Sequence, residues 1–400
     1  MNIHFIAIGG SAMHNLAIAL KQKGYTITGS DDEIFEPSYG RLAKHGLLPN
    51  TTGWFPEKIT ESIDAVVLGM HARIDNPELL KAKELGLKIY SYPEYLFEQT
   101  KSKTRIVVGG SHGKTTITSM IMHVLKELEY EFDYMVGAQI DGFDNMVGLS
   151  NNSKIAIFEG DEYLSSPIDP RPKFHLYKPH IAVISGIAWD HINVFPTFEN
   201  YIKQFETFID TIETKGQLIY CKSDLNLKDI VINSRSDISK KAYSQHPFEN
   251  RIDRTVLITN HGESIVEVFG QHNMENLSAA KEVCNSIGIG DKDFYKAIST
   301  FRGAAKRLQK LGSGHTTDVF LDFAHAPSKV KATVNALKNQ YPYRKLVACL
   351  ELHTFSSLNP NFLPEYKGSI SQADVQVVYY NPKTLEHKKL PKIDPGFIKQ

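Results

Sequence analysis

Seven consecutive residues, Gly110-Ser111-His112-Gly113-Lys114-Thr115-Thr116, constrain what this chain can fold into more than any other feature. They follow an apolar run, Arg105–Val108, that reads as a buried strand, and they open a helical pattern. A glycine-rich turn between a strand and a helix aims backbone N–H groups and the positive end of the helix dipole at one point, which suits a phosphate. From that turn Lys114 can reach β- and γ-phosphates, and Thr115 can hold Mg²⁺. The widespread form GxxxxGK followed by Ser or Thr would put glycine at 108, where this chain has Val108. A tight turn with a surface lysine is the plain alternative. Strand, turn and helix in this order imply an α/β fold on a parallel sheet.

The same alternation recurs along the chain. Strand-like runs at Ile3–Ile8, Tyr25–Thr28 and Ala65–Leu68 alternate with helical patterns at Ala12–Lys23, Tyr39–His45 and Pro77–Leu85, a βαβαβ series. A short polar stretch, Gln99–Lys103, ends it. Further strands are expected at Ile155–Phe158, Ile181–Ser185 and Gln217–Tyr220, a hairpin at Thr255–Thr259 and Ser264–Phe269, and helices near Asn273–Ser286 and Lys292–Phe301. After Arg302-Gly303 a third αβ pattern runs through Val319–Asp322, Ser328–Asn339, Lys345–Cys349 and Val375–Tyr379. The 400 residues therefore divide into three consecutive α/β domains, 1–101, 102–303 and 304–400, the first and last Rossmann-like and the middle one a P-loop ATPase-like unit.

Lys plus Arg and Asp plus Glu number 45 each, so no net charge favours nucleic acid or an anionic membrane. An anionic ligand has to be caught locally. The longest apolar runs, such as Ile181–Trp189, reach about half of the ~18 residues a membrane-spanning helix needs. No basic residue precedes the apolar start at Met1–Met13, which reads as a first strand and not as a secretion signal. Cys221, Cys284 and Cys349 are single and far apart, with no pairing pattern for a disulfide framework or a metal. A cytoplasmic protein that inserts in no membrane is the expectation.

Gly9-Gly10-Ser11-Ala12-Met13 follows the first strand and Ser30-Asp31 ends the second, the layout of a dinucleotide crevice without its third glycine. A tight turn explains these glycines equally well. Glu159-Gly160-Asp161-Glu162 ends one strand and Asp190-His191 follows another. Carboxylates at strand ends beside a phosphate loop are where Mg²⁺ ligands sit, although Mg²⁺ favours oxygen over the nitrogen of His191 and solvated loops are the alternative. Later come Gly270-Gln271-His272-Asn273 with Asn276, then Lys306-Arg307, then Asp322-Phe323-Ala324-His325-Ala326-Pro327. Asparagines can read an adenine edge, Arg307 can neutralise a moving phosphoryl group, and Asp322 or His325 can meet the phosphate from a third domain. A helix cap, a solvated basic turn and an ordinary loop account for each piece alone.

Taken in order, these pieces resemble the Mur ligase family, ATP-dependent enzymes that add amino acids or peptides to UDP-N-acetylmuramate. The resemblance rests on Gly110–Thr116, Glu159–Glu162, Asp190-His191, Gly270–Asn276 and Asp322–Pro327, and it covers nearly the whole chain. It implies that Gly110, Ser111, His112, Gly113, Lys114, Thr115 and Thr116 cradle ATP, and that Thr115, Glu159 and His191 hold Mg²⁺. His272, Asn273 and Asn276 would complete the ATP site, with the asparagines at the adenine, while Arg307, Asp322 and His325 would come in from the hinge and the third domain. The catalytic set implied is Lys114, Glu159, His191, Arg307 and His325. Gly9, Gly10, Ser11, Ala12, Met13, Ser30, Asp31 and the stretch from His71 to Asn76-Pro77 would hold the UDP part.

Several branches of the family carry a modified lysine where this chain has Phe205, as in the branch that uses UDP-N-acetylmuramate itself. Glu159–Tyr163 and Lys173–Pro179 are similar to the enzymes of that branch that add the tripeptide L-alanyl-γ-D-glutamyl-meso-diaminopimelate, which makes the tripeptide the expected acceptor and L-alanine the alternative. Lys306, Ala326 and the ending Ser356-Ser357 depart from the alanine-adding pattern. The chain stops soon after Tyr379–Pro382, short of the last strands of the family's third domain, so that domain is expected to be either abbreviated or truncated. Outside the family, an NAD-dependent oxidoreductase built on Gly9–Asp31 leaves the phosphate loop unexplained, and a non-catalytic P-loop module predicts nucleotide binding without an amide product.

Overall fold

The computed structural model describes residues 1–189, 194–251, 254–393 and 396. Asp190 and His191, expected near the metal, lie outside the described residues. The chain opens with β1 (Asn2–Ile6), α1 (Ser11–Gln22), β2 (Thr26–Ser30), α2 (Ser38–Lys44), β3 (Ala65–Leu68), α3 (Pro77–Glu84), β4 (Ile89–Ser91) and α4 (Tyr92–Thr100). Their strands form a four-stranded parallel sheet in the order β2-β1-β3-β4. The first strand ends at Ile6, two residues short of expectation, because Ala7 adopts a left-handed φ of 67° and turns the chain toward Gly9-Gly10. Ala7 N and Ile8 N then both donate to Ser30 O, at 2.9 and 3.1 Å, which fixes this turn beside the end of β2. Neither β4 nor α4 was expected. Ser91 and Glu94 form a capping box that starts α4, with Ser91 N donating to Glu94 Oε2 at 2.8 Å.

A larger unit follows: β5 (Thr104–Gly109), α5 (Lys114–Glu127), β6 (Phe132–Met135), β7 (Val147–Gly148), β8 (Ile155–Glu159), the hairpin β9 (Leu164–Ser166) and β10 (Asp169–Pro172), then β11 (Ile181–Ile184), α6 (Phe198–Asp210), β12 (Gln217–Cys221), α7 (Leu225–Asn233) and β13 (Ser239–Tyr243). Seven strands form one sheet, β13-β12-β11-β5-β8-β6-β7, parallel except for β7. Ile106–Val108 of β5 and the whole of β11 are apolar because helices cover both faces of a parallel sheet. On α5, Ile117, Met120, Ile121, Val124 and Leu125 form the buried stripe that presses it to the sheet. Beneath Gly109, Phe174 stacks on Phe208 with centroids 4.5 Å apart, and Phe205 meets Phe174 edge-on at 5.5 Å. Position 205 is thus an apolar, buried wall.

The antiparallel strands β14 (Phe248–Arg251), β15 (Arg254–Thr259) and β16 (Gly262–Val266) lead to α8 (Gln271–Ser286) and α9 (Asp291–Ile298). The hairpin stops at Val266, short of the expected Phe269, because Phe269 leaves it to pack on Phe320 and Tyr341 of the next unit. That unit holds β17 (Gln309–Ser313), β18 (Asp318–Leu321), α10 (Pro327–Gln340), β19 (Val347–Leu352), β20 (Val375–Tyr380) and α11 (Pro382–His387). Its strands pair two by two, β17 with β18 antiparallel and β19 with β20 parallel, around a small core of its own. Gly270 explains how it attaches: φ is 90° there, and a Cβ would come within 2.6 Å of Ala336 Cβ on α10.

Candidate functional site

Lys114 is the first residue of α5, so the loop after β5 delivers it to the helix N-terminus. Gly113 sits at φ 76°, and a Cβ there would overlap Asn276 Oδ1 of α8; glycine is required. Lys114 Nζ donates to Gly110 O at 2.8 Å and to Glu162 Oε2 at 2.7 Å. Glu162 is fully buried and accepts a second bond at Oε1 from Tyr201 OH of α6 at 3.1 Å, and Ser111 Oγ lies 3.0 Å from the same phenol. Burial alone would lower the pKa of Lys114, but the carboxylates of Glu162, Asp161 and Glu159 hold it above its ordinary value. The lysine is therefore a fixed cation awaiting anionic partners.

Glu159 ends β8 opposite the loop. Thr115 Oγ1 donates to its Oε1 at 2.8 Å, and Gly137 N donates to its Oε2 at 2.7 Å. Two hard oxygen donors this close suit Mg²⁺, and they are the residues expected to hold it. Among the described residues, no group of three or more His, Cys, Asp or Glu is gathered as a metal cluster.

These groups open into one cavity of about 310 Å³. It is lined by Ser111, His112, Gly113, Lys114, Thr115, Thr116 and Glu159, by His272, Asn273 and Asn276 of α8, and by Arg307, Asp322 and His325. The sequence-derived nucleotide set is thus brought together from three separate stretches, with Gly110 immediately behind. Arg307 Nη2 donates to Thr115 Oγ1 at 3.4 Å and its guanidinium stands over Phe323, while Ser328 Oγ lies 2.9 Å from His112 Nε2. Burial pushes His272 down to about 4, so its ring is neutral. Burial raises the carboxyl of Asp322, which accepts from Thr333 Oγ1 at 2.6 Å. His325 Nδ1 lies 2.9 Å from Phe323 O at the rim.

The second glycine turn lies after β1 on the four-stranded sheet. Gly9 N donates to Asp31 Oδ2 at 2.7 Å, and burial pushes the Asp31 carboxyl up to about 6. Gly9, Gly10, Ser11 and Ala12 form the turn and helix start facing it. Met13 and Ser30 are buried, and the Met13 side chain packs into the core and offers the crevice nothing. His71 is exposed beyond β3. Asn76 caps α3: its Oδ1 accepts from Glu78 N and Leu79 N at 2.9 and 3.1 Å. Glu162, Tyr201 and Gly137 were not anticipated as functional. The acidic run advertised Glu162, but only the packing of α6 reveals its hold on Lys114.

A phosphate turn at the N-terminus of a buried helix, faced by a strand-end carboxylate and closed by a separate α/β unit, defines the class: a multidomain P-loop-type protein that works on nucleotide phosphates. Comparison with known proteins narrows it. The pattern described as Mur ligase middle domain matches residues 108–284, and that described as Mur ligase family, catalytic domain, matches residues 2–104. A UDP-N-acetylmuramate--L-alanine ligase of Carboxydothermus hydrogenoformans is 31% identical over 99% of this chain and 85% of its own. A UDP-N-acetylmuramate--L-alanyl-gamma-D-glutamyl-meso-2,6-diaminoheptandioate ligase of Haemophilus influenzae is 29% identical over 85% of this chain and 76% of its own. In fold, the crystal structure of a UDP-N-acetylmuramate-alanine ligase from Thermotoga maritima superposes with a TM-score of 0.71 at 21% identity, covering 98% of this chain and 89% of that one. The chain belongs to the Mur ligase family and is an ADP-forming, amide-bond-forming ligase. The oxidoreductase and non-catalytic readings fall with that membership. No helix among the described residues is long and apolar enough to cross a membrane.

Proposed function

We propose that this ligase joins the carboxylate of UDP-N-acetylmuramate to the amino group of L-alanine at the expense of ATP, in the cytoplasm. One observation supports the geometric part: the glycine turn before Lys114 and the glycine turn facing Asp31 stand on two different sheets, which suits a nucleotide-linked substrate and ATP bound apart. The acceptor is supported by the relatives of 30–31% identity, which are named alanine ligases. This replaces the tripeptide as the first reading. The tripeptide stays as a second one because of the Haemophilus influenzae relative and because Lys173 reaches Asp161 at 2.5 Å beside the Tyr163 ring, the stretch that suggested it. The reading divides the chain into UDP-sugar, ATP and closing domains at 101 and 303.

A carboxylate is a poor electrophile, so the γ-phosphoryl group is first transferred to it, giving an acyl phosphate and ADP. Lys114 exchanges Glu162 for phosphate oxygens and neutralises charge as the phosphoryl group moves, and Arg307 adds a second cation from the closing unit. Thr115 and Glu159 would hold Mg²⁺, which would supply further charge neutralisation at the phosphates. The amine then attacks the acyl carbon, and the tetrahedral adduct expels phosphate to leave the amide. His272, Asn273 and Asn276 hold the base end of ATP away from this chemistry. Mass spectrometry of products from UDP-N-acetylmuramate, ATP and either L-alanine or the tripeptide tests the reading. A mass gain of one alanyl residue is expected, exclusive tripeptide addition would install the second reading, and phosphate release without any amide would remove both.

A further inference from the structure

The segment between β6 and β7 touches both crevices. At its end, Asn145 Nδ2 donates to Asn15 O of α1 at 2.8 Å, and Asn145 Oδ1 accepts from Arg41 Nη2 of α2 at 2.7 Å. Asn15 is fully buried; its Oδ1 accepts from Met146 N at 3.2 Å, and its Nδ2 donates to Ser11 O at 2.6 Å, the first residue of the helix that follows Gly9-Gly10. At the start of the same segment, Gly137 N bonds to Glu159 Oε2, whose other oxygen holds Thr115. A Cβ on Gly137 would lie 3.1 Å from both carboxylate oxygens, so this end fits closely.

The span between the ends is braced. Ile140 is buried, Lys126 Nζ donates to Gly142 O at 2.7 Å, and Phe143 meets Tyr134 edge-on with centroids 5.0 Å apart. A span anchored at both ends and braced between them passes a displacement from one end to the other, where a loose loop would absorb it. Ligand phosphate seated on the turn at Gly10 and Ser11 would bear on the first turn of α1 and, through the Asn15 Nδ2–Ser11 O bond, on Asn15. A shift of Asn15 moves Met146, and through the strut Gly137 and the Glu159 carboxylate.

We propose that this segment links the two ligand sites, and that Asn15 and Asn145 are positioning residues for Glu159, acting from the far side of a domain boundary. The inference rests on the assignment of the Gly9–Asp31 crevice to the UDP-sugar and of the Lys114–Glu159 cavity to ATP with Mg²⁺. If the link operates, each ligand changes the affinity of the other by the same factor, as linkage demands.

The test is calorimetry with Mg²⁺ and a non-hydrolysable ATP analogue, with and without saturating UDP-N-acetylmuramate. The unaltered protein should bind the analogue at least about fivefold differently in the two conditions. Asn145→Asp is nearly isosteric, keeps the acceptor for Arg41 and replaces the donor to Asn15 O by a carboxylate oxygen; Asn145→Ala removes the Asn145 side-chain bonds to Asn15 and Arg41 and leaves the Met146 N–Asn15 Oδ1 bond in place. Both variants should bring the factor below about twofold while each ligand alone binds within about twofold of the unaltered protein. A purely structural clasp would weaken single-ligand binding and leave the factor intact, and that outcome overturns the proposal. So does an unaltered protein that binds both ligands with no mutual effect. Failure of the unaltered protein to bind one of them would instead remove the site assignment, and the link with it.

Discussion

The central seven-stranded sheet and the β19–β20 pair are built from similar apolar segments, yet only the first is covered on both faces. β5 and β11 are buried almost end to end, whereas Val347, Val377 and Tyr379 on one face of β19–β20 are 59%, 42% and 51% exposed. The central core is continuous with that of the N-terminal sheet; the C-terminal unit has its own small cluster. Division of labour follows from this difference. Lys114, Thr115 and Glu159 are held by a close-packed frame before any ligand arrives, while Arg307, Asp322 and His325 belong to a unit with a core of its own. A unit with its own core can move as a body, which a reaction with three converging reactants needs.

The largest effect should come from the rigid side. Lys114→Ala is expected to lower turnover by at least about a hundredfold while UDP-N-acetylmuramate affinity, read by calorimetry, changes less than about twofold. Equal loss of both would mean that the two crevices are not separate. Next, the comparison can be sharpened by paired truncations: Phe208→Ala in the central core should cost about 3–5 kcal/mol in denaturant unfolding, and Val377→Ala on the open face less than about 0.5 kcal/mol. Similar losses would show both regions equally packed.

Smaller still, Glu159→Gln should raise the Mg²⁺ concentration for half-maximal activity roughly tenfold. Asp169→Asn serves as its control, since the Asp169 carboxylate is bound to Arg171 at 2.7 Å in the β9–β10 hairpin, and its metal titration should not move. The smallest effect concerns Asp31. Burial raises its carboxyl from 3.8 to about 6, so the folded chain holds that proton more tightly than the unfolded chain. The resulting stabilisation is complete below about pH 4 and lost as pH rises through about 6. Asp31→Asn should flatten that decline, a change of a few degrees in thermal midpoint.

What could be read from the sequence was local. The loop at 110–116 was legible because strand, glycines, lysine and helix are contiguous, and Glu159 because a strand end is visible in its apolar run. The capping box at Ser91 and Glu94 was equally local and went unread, so α4 was missed. β6 escaped because Phe132-Asp133-Tyr134-Met135 buries Asp133, whose Oδ2 takes a bond from Lys103 Nζ at 2.5 Å, and a buried ion pair looks like a polar loop in sequence. The Glu162–Tyr201 hold on Lys114 and the Asn15–Asn145 clasp join residues far apart in the chain, and no periodicity announces such pairs. The relatives favour the alternative acceptor over the first-ranked one for a related reason: Tyr163 and Lys173 mark a short stretch, and the relatives compare whole chains.

The cavity over the phosphate loop has walls from two separately supported parts of the chain. Neither part alone owns its shape. A small molecule screened against the central unit by itself would meet an open shelf, whereas the whole chain offers a box with a lid. An inhibitor filling the full space would act as a staple across the boundary, and its residence time would be set by how often Arg307 and Ser328 lift away from Thr115 and His112.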